Sequence, residues 1–272
     1  MILTSDFTLV SSFALYSAAC LIPLYLIYAF FGGKLKDAWA QALLLSLWVL
    51  HGLNVLSTLL GMDEFGPRFG FAPALSATAW LILTCYALER HWFPQSRVRL
   101  GVSSMGLLTL VLSLYFPGQA LQLNASAWLP LHWALGMASY GLFGAAVVHA
   151  LILSNAERLM RQAAESSAAL PLLTLERLTY RFVIAGFVLL TSTLLAGFLF
   201  GETLFGTESA WRWDHKTVLS LMAWFTFAYL LTARYRYGFR GRRAIRVIYI
   251  GTGLLFLAYA GSHFVREVIL HR

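Results

Sequence analysis

Apolar residues along this chain gather into eight long runs, broken by short clusters of charge, glycine and proline. The runs cover roughly residues 9–31, 39–60, 71–88, 100–116, 129–153, 178–200, 217–233 and 244–265. A helix needs about 20 apolar residues to cross the hydrocarbon of a bilayer, and all but the short fourth and seventh runs come near that length. Lipid cannot satisfy free backbone groups, so closed helices are the reading such runs allow. The pattern predicts an all-α, polytopic membrane helix bundle with about eight transmembrane helices. The composition agrees: 59% of residues are hydrophobic and 12% charged, where soluble domains carry about a quarter charged. The first run has neither a basic leader nor a small-residue cleavage site, so it reads as a retained helix.

The cations orient the bundle. With the amino terminus outside, the inner connections hold Lys34 and Lys36, then Arg90, Arg97 and Arg99, then Arg158, Arg161, Arg177 and Arg181. The last holds Arg234, Arg236, Arg240, Arg242, Arg243 and Arg246. Only Arg68, Arg212, Lys216, Arg266 and Arg272 are left outside. The positive-inside rule therefore places both termini on the outer face, which in a bacterium is the periplasmic face of the inner membrane. The longest inner connection, 154–180, holds a small polar linker but no inserted soluble domain. Residues 1–272 read as a single integral membrane domain, with a four-helix part over 1–128 and a second part over 129–272.

Several function classes drop out. The formal net charge of +8 sits in clusters between apolar runs, so no nucleic-acid partner is expected. Cys20 and Cys85 both lie inside apolar runs, which leaves no CxxC thiol chemistry and no CxxCH haem attachment. There is no phosphate-cradling glycine loop, HExxH or serine nucleophile elbow.

Chemistry concentrates instead in Trp211, Arg212, Trp213, Asp214, His215 and Lys216, between the sixth and seventh runs. Indoles suit a large flat ligand, imidazole a transition metal, and fixed cations carboxylates. Haem has all three features. The alternatives are interfacial tryptophans and an Asp214 that pairs with a neighbouring cation to stiffen the loop. His51 falls about 18 Å along its helix, near mid-membrane, where an ionisable group is a functional candidate with Asn54 as a partner one turn away. His132 and His263 sit at the outer ends of two different runs, His263 with Arg266 three residues on, and such a pair could ligate one haem iron. His149 is read as a packed, neutral residue, His91 and His271 as solvated, and His215 as ligand, propionate partner or loop polarity alike. A proton relay through His51 and His149 is a weaker reading, because the runs hold no carboxylate to join them.

From Leu175 to Val265 the chain resembles the cytochrome c assembly proteins of the CcsA/ResC/CcmC type, which carry a WWD domain. The likeness lies in Leu175 to Arg181, Gly186, Phe187, Gly197, Trp224 and the stretch Gly238 to Arg243, with Trp211 to Lys216 matching the W-x-W-D-P-K signature. His132 to Tyr140 is similar to the family's earlier external-histidine helix, and the compact eight-helix layout is most like the small YpjD branch. The resemblance implies that His132 and His263 are external haem histidines, that Trp211, Trp213 and Asp214 form the platform, and that His51 is an intramembrane haem histidine. His215 replaces the family's proline and Thr217 its following glutamate.

The expectation is a haem-binding protein that presents non-covalent haem b at the outer face. His132, His263 and His51 are the iron ligands, and Arg212, Lys216, His215 or Arg266 hold propionates. It would act as conduit or chaperone rather than as a stand-alone lyase, with the lipid bilayer and other cytochrome c assembly or membrane proteins as further partners. The alternative is a regulatory or scaffolding protein that keeps the fold without haem transfer.

Overall fold

The computed structural model describes residues 12–62, 67–92, 99–120, 129–161, 172–200 and 214–261, which form eight α-helices. They are α1 (Ser12–Phe31), α2 (Asp37–Leu60), α3 (Phe71–Trp92), α4 (Arg99–Tyr115), α5 (Leu129–Arg161), α6 (Leu172–Leu199), α7 (His215–Tyr237) and α8 (Arg242–Phe256). Five stretches are long and apolar enough to cross a membrane: Asp37–Leu60, Phe71–Glu89, Leu131–Arg158, Leu172–Leu199 and His215–Tyr237. The large apolar side chains they leave exposed, such as Ile184, Val188, Leu195 and Phe198 on α6, would be untenable as a water-facing stripe and suit lipid. The chain is an all-α, multi-pass membrane protein.

The helices depart from the apolar runs at their ends. α5 continues to Arg161 and α6 begins at Leu172, because a helix keeps its backbone bonds in water as well as in lipid, whereas hydropathy reports only the apolar part. Within the run predicted to continue to 265, the α-helix Arg242–Phe256 opens into a π-helical turn, Leu257–Gly261, and the rest of that run lies outside the described residues. Hydropathy also gave no hint of a two-residue antiparallel pairing, β1 (Arg68–Phe69) with β2 (Gln119–Ala120). Gly118 permits it: its φ is +83°, and a Cβ there would lie 2.8 Å from the Phe69 carbonyl.

The chain forms two compact units. In the first, α1 packs against α2 and α4, and α3 packs against the same two helices. Gly106 of α4 lets the Tyr25 ring of α1 approach to where a Cβ would be 2.5 Å from it. Arg99 closes the C-terminal end of α1, its Nε donating to the Ala29 carbonyl at 3.1 Å.

In the second unit α5 lies along α6, α7 along α8, and α5 also meets α8. Its core is a stack of Phe143 on Phe227, with centroids 3.9 Å apart and rings 12° from parallel. Gly186 of α6 covers the Phe143 ring and Gly251 of α8 the Phe227 ring. Thus a glycine on each side makes room for two flat rings among four helices. At the far end, the Glu176 carboxylate accepts from Arg234 at 2.5 Å and lies 3.6 Å from Arg240 Nε. The Arg234 guanidinium sits 3.5 Å from the Tyr180 ring centroid, and the Tyr180 hydroxyl donates to the Phe239 carbonyl at 3.1 Å. One carboxylate and one phenol thereby pin the turn between α7 and α8 to the start of α6.

Two outcomes follow from this packing. Gly251→Val would place a methyl-bearing carbon 2.7 Å from Phe227 Cζ, and should lower stability in detergent by about 2 kcal/mol, read from thermal unfolding by circular dichroism. Glu176→Gln leaves Arg234 without its anion and should cost on the order of 2 kcal/mol. Adding Arg234→Gln to it should recover part of that loss in the same measurement, whereas additive losses would show that the pair is not coupled.

Candidate ligand-binding residues

His51 lies at the centre of the first unit and is fully buried. Its Nδ1 shares a hydrogen bond of 2.6 Å with the Tyr25 hydroxyl of α1, and its Nε2 one of 2.9 Å with the Ser76 hydroxyl of α3. A neutral imidazole has one donor and one acceptor nitrogen, so one hydroxyl accepts from it and the other donates to it. Three helices are tied through one ring. Ligation of iron by His51 would require one of the hydroxyls to withdraw.

The partner expected for His51 was Asn54, and the structure corrects this: the Asn54 amide donates to Ser17 Oγ of α1 instead. One turn along the helix puts a residue on the same face but not within reach of the same ring. Neither Tyr25 nor Ser76 stood out in the sequence, since each is a lone hydroxyl inside an apolar run on another helix, and no spacing rule links them to His51. Nearby, Trp48 and Trp80 stack at 5.6 Å, with Trp80 Nε1 donating to the Trp48 carbonyl at 2.8 Å.

His132, Asp214, His215 and Lys216 belong to the second unit. His132 is half-buried in the first turns of α5 and lies beside Gly197 of α6, where a Cβ would come 3.5 Å from its Cε1. Asp214 is the N-cap of α7: its Oδ1 accepts from the Thr217 N–H at 2.9 Å. Its carboxylate therefore sets the start of a helix. His215 follows as the first helical residue and is exposed. Lys216 reaches back so that its ammonium stands 5.4 Å from the Tyr259 ring centroid, and Tyr259, on the π-helical turn, packs against Tyr140 of α5 at 5.8 Å. Cation and rings from three elements thus converge. Tyr140 and Tyr259 do not stand out in the sequence, because tyrosines in apolar runs carry no signal of their own. Trp211, Arg212, Trp213, His263 and Arg266 lie outside the described residues.

His149, on the same helix as His132, is buried, bonds through Nδ1 to the Ala145 carbonyl one turn back at 2.8 Å, and packs on Phe182. It behaves as a packing residue. Among the described residues no group of three or more His, Cys, Asp or Glu is placed to hold a metal ion; a haem iron, whose porphyrin supplies four ligands, asks the protein for one or two. A half-buried imidazole next to a glycine and a cation held over an aromatic ring fit the iron and the propionates of that group in donor chemistry.

The family model described as "Cytochrome C assembly protein" matches residues 9–270. Inner membrane protein YpjD of Escherichia coli strain K12 is 32% identical over 228 residues, which are 81% of this chain and 84% of that protein. Cytochrome c biogenesis protein CcsA of Synechococcus sp. strain CC9605 is 27% identical over 69% of this chain and 71% of its own length. CcsA of Gloeobacter violaceus is 36% identical over a shorter stretch, 35% of this chain and 27% of that protein. With a match that runs through both units rather than only the region around the tryptophan-rich loop, the chain belongs to the cytochrome c assembly protein family.

Proposed function

We propose that this protein is a haem handler of the cytochrome c assembly class, a conduit or chaperone that presents non-covalent haem b at the periplasmic face of a bacterial inner membrane. In this reading the eight helices are eight crossings with both termini outside, and residues 129–272 form the WWD-type part. His132 and His263 are the axial ligands. Trp211 and Trp213 supply the platform, while Arg212, Lys216 and Arg266 pair with propionates, and His215 lies at the rim. Asp214 fixes the direction in which the loop enters α7. Other membrane or assembly proteins would receive the haem.

The observation that carries this reading is the family match over both units, together with the half-buried His132 beside Gly197 and the Lys216 ammonium over Tyr259. Haem, when bound, brings its own iron chemistry, and the chain's residues bind, orient and shield it. The alternative is a scaffolding or regulatory role without haem transfer. It draws support from His51, whose two nitrogens are both engaged by hydroxyls.

Protein purified from haem-replete cells should show a Soret band, and the His132→Ala, His263→Ala double variant should lose most of it and fail to regain it on addition of hemin. A colourless wild type that takes up no hemin would select the scaffolding role. His51→Phe separates the inner histidine from the outer pair. It leaves the Tyr25 and Ser76 hydroxyls without their partner and should lower thermal stability in detergent by about 2 kcal/mol, with haem content at the wild-type level. A haem loss as deep as that of the double variant would instead make His51 a ligand.

A further inference from the structure

The stretch 234–246 holds six arginines in thirteen residues, and the second unit arranges them unequally. Arg234 is drawn inward by Glu176 and the Tyr180 ring, and Arg240 lies at the edge of the same carboxylate. Arg236, Arg242, Arg243 and Arg246 are exposed, as are Arg177 and Arg181 within the first three turns of α6, near Glu176. Among the described residues none of these six has a carboxylate partner. Arg246 follows Arg242 by four residues and Arg243 by three, which brings it beside both on α8, and Arg177 and Arg181, four residues apart, lie along one side of α6.

The backbone beneath them is held firmly. Gly238 and Gly241, at φ +62° and +68°, turn the chain between α7 and α8, and the Tyr180 hydroxyl grips the Phe239 carbonyl between them. Six like charges on a fixed frame repel one another unless an anion lies among them. Positive-inside topology accounts for cations on this side of a membrane but not for their gathering on a braced turn whose single carboxylate is already shared.

The two tyrosines of the same stretch indicate what covers the face. Tyr235 is 92% and Tyr237 80% exposed, both in the last turn of a membrane-crossing helix. Aromatic rings with a polar tip settle at the level of lipid headgroups. The arginines one turn further along therefore stand at phosphate depth. Guanidinium is the cation best matched to phosphate, since its planar fork gives two parallel hydrogen bonds.

We propose that the arginine face formed by the start of α6, the α7–α8 turn and the start of α8 is a docking surface for anionic phospholipid, recognised through its phosphodiester headgroup. It is independent of haem binding.

The test uses the full chain in nanodiscs that mix phosphatidylglycerol with phosphatidylcholine, followed by mild detergent and native mass spectrometry of the retained lipid. Phosphatidylglycerol should stay bound while phosphatidylcholine is lost. Arg242→Gln, Arg243→Gln and Arg246→Gln together should weaken retention by about 100-fold. The matching triple lysine variant, which keeps the charge, should retain lipid to within about tenfold, so that loss in the glutamine variant cannot be laid to misfolding. Equal retention of both lipids, or an unchanged lipid signal in the glutamine variant, overturns the proposal. So does complete displacement by inorganic phosphate matched in concentration to the headgroups, which would make the face a site for a free anion.

Discussion

Hydrocarbon offers no hydrogen-bond partner, and each polar group in these helices is placed under that constraint. The hydroxyls show it most simply. Thr78, Thr84, Thr179, Thr191, Thr193 and Thr226 each donate to the carbonyl one turn back on their own helix. Such side chains read as polar in a hydropathy pattern, yet they expose no donor to lipid. His149 follows the same habit through Nδ1. His51 does not, because its ring is carried past its own backbone to hydroxyls of two other helices. The difference separates a histidine bonded to its own backbone from one that joins helices, and iron ligation by the joining histidine would leave one buried hydroxyl without its partner.

Without a hydrophobic drive between helices inside lipid, close packing has to supply association, and small residues let it do so. The Phe143 and Phe227 stack between Gly186 and Gly251 is the clearest case. Several positions that carry the family resemblance acquire a structural meaning here. Gly186 faces Phe143, Phe187 stacks on Trp224 at 5.5 Å, and Trp224 Nε1 donates to Thr191 Oγ1 at 2.9 Å. Glu176 and Tyr180 anchor the turn that contains Gly238 and Gly241. Much of the pattern that looks like a signature of haem handling is the geometry that holds α5, α6, α7 and α8 together.

Helix number and approximate position were legible because each apolar run reports its own helix, and His51 and His149 could be singled out as polar residues at depth. Helix ends were less legible, since the polar turns after residue 153 and before residue 178 remain helical in α5 and α6. Pairings across helices were not legible. Tyr25 with His51, Glu176 with Arg234, and Lys216 with Tyr259 join residues 26, 58 and 43 positions apart. Periodicity constrains which side of a helix a residue occupies, not which neighbour meets that side.

The motif around residue 214 shows how local structure and chemistry share the same letters. Asp214 caps α7 and His215 occupies its first helical position. The W-x-W-D-P-K signature that this stretch resembles has aspartate followed by proline, the residue types that a helix start favours at the N-cap and the first helical position. The first helical N–H has no partner within the helix in either case, so exchanging that proline for histidine removes nothing the helix needs. His215 is exposed, and the cap on Thr217 is intact. Histidine at this position is thus compatible with the start of the helix. The same cap sets the side on which Lys216 emerges: it fixes the first turn of α7, and the first turn directs the ammonium toward Tyr259.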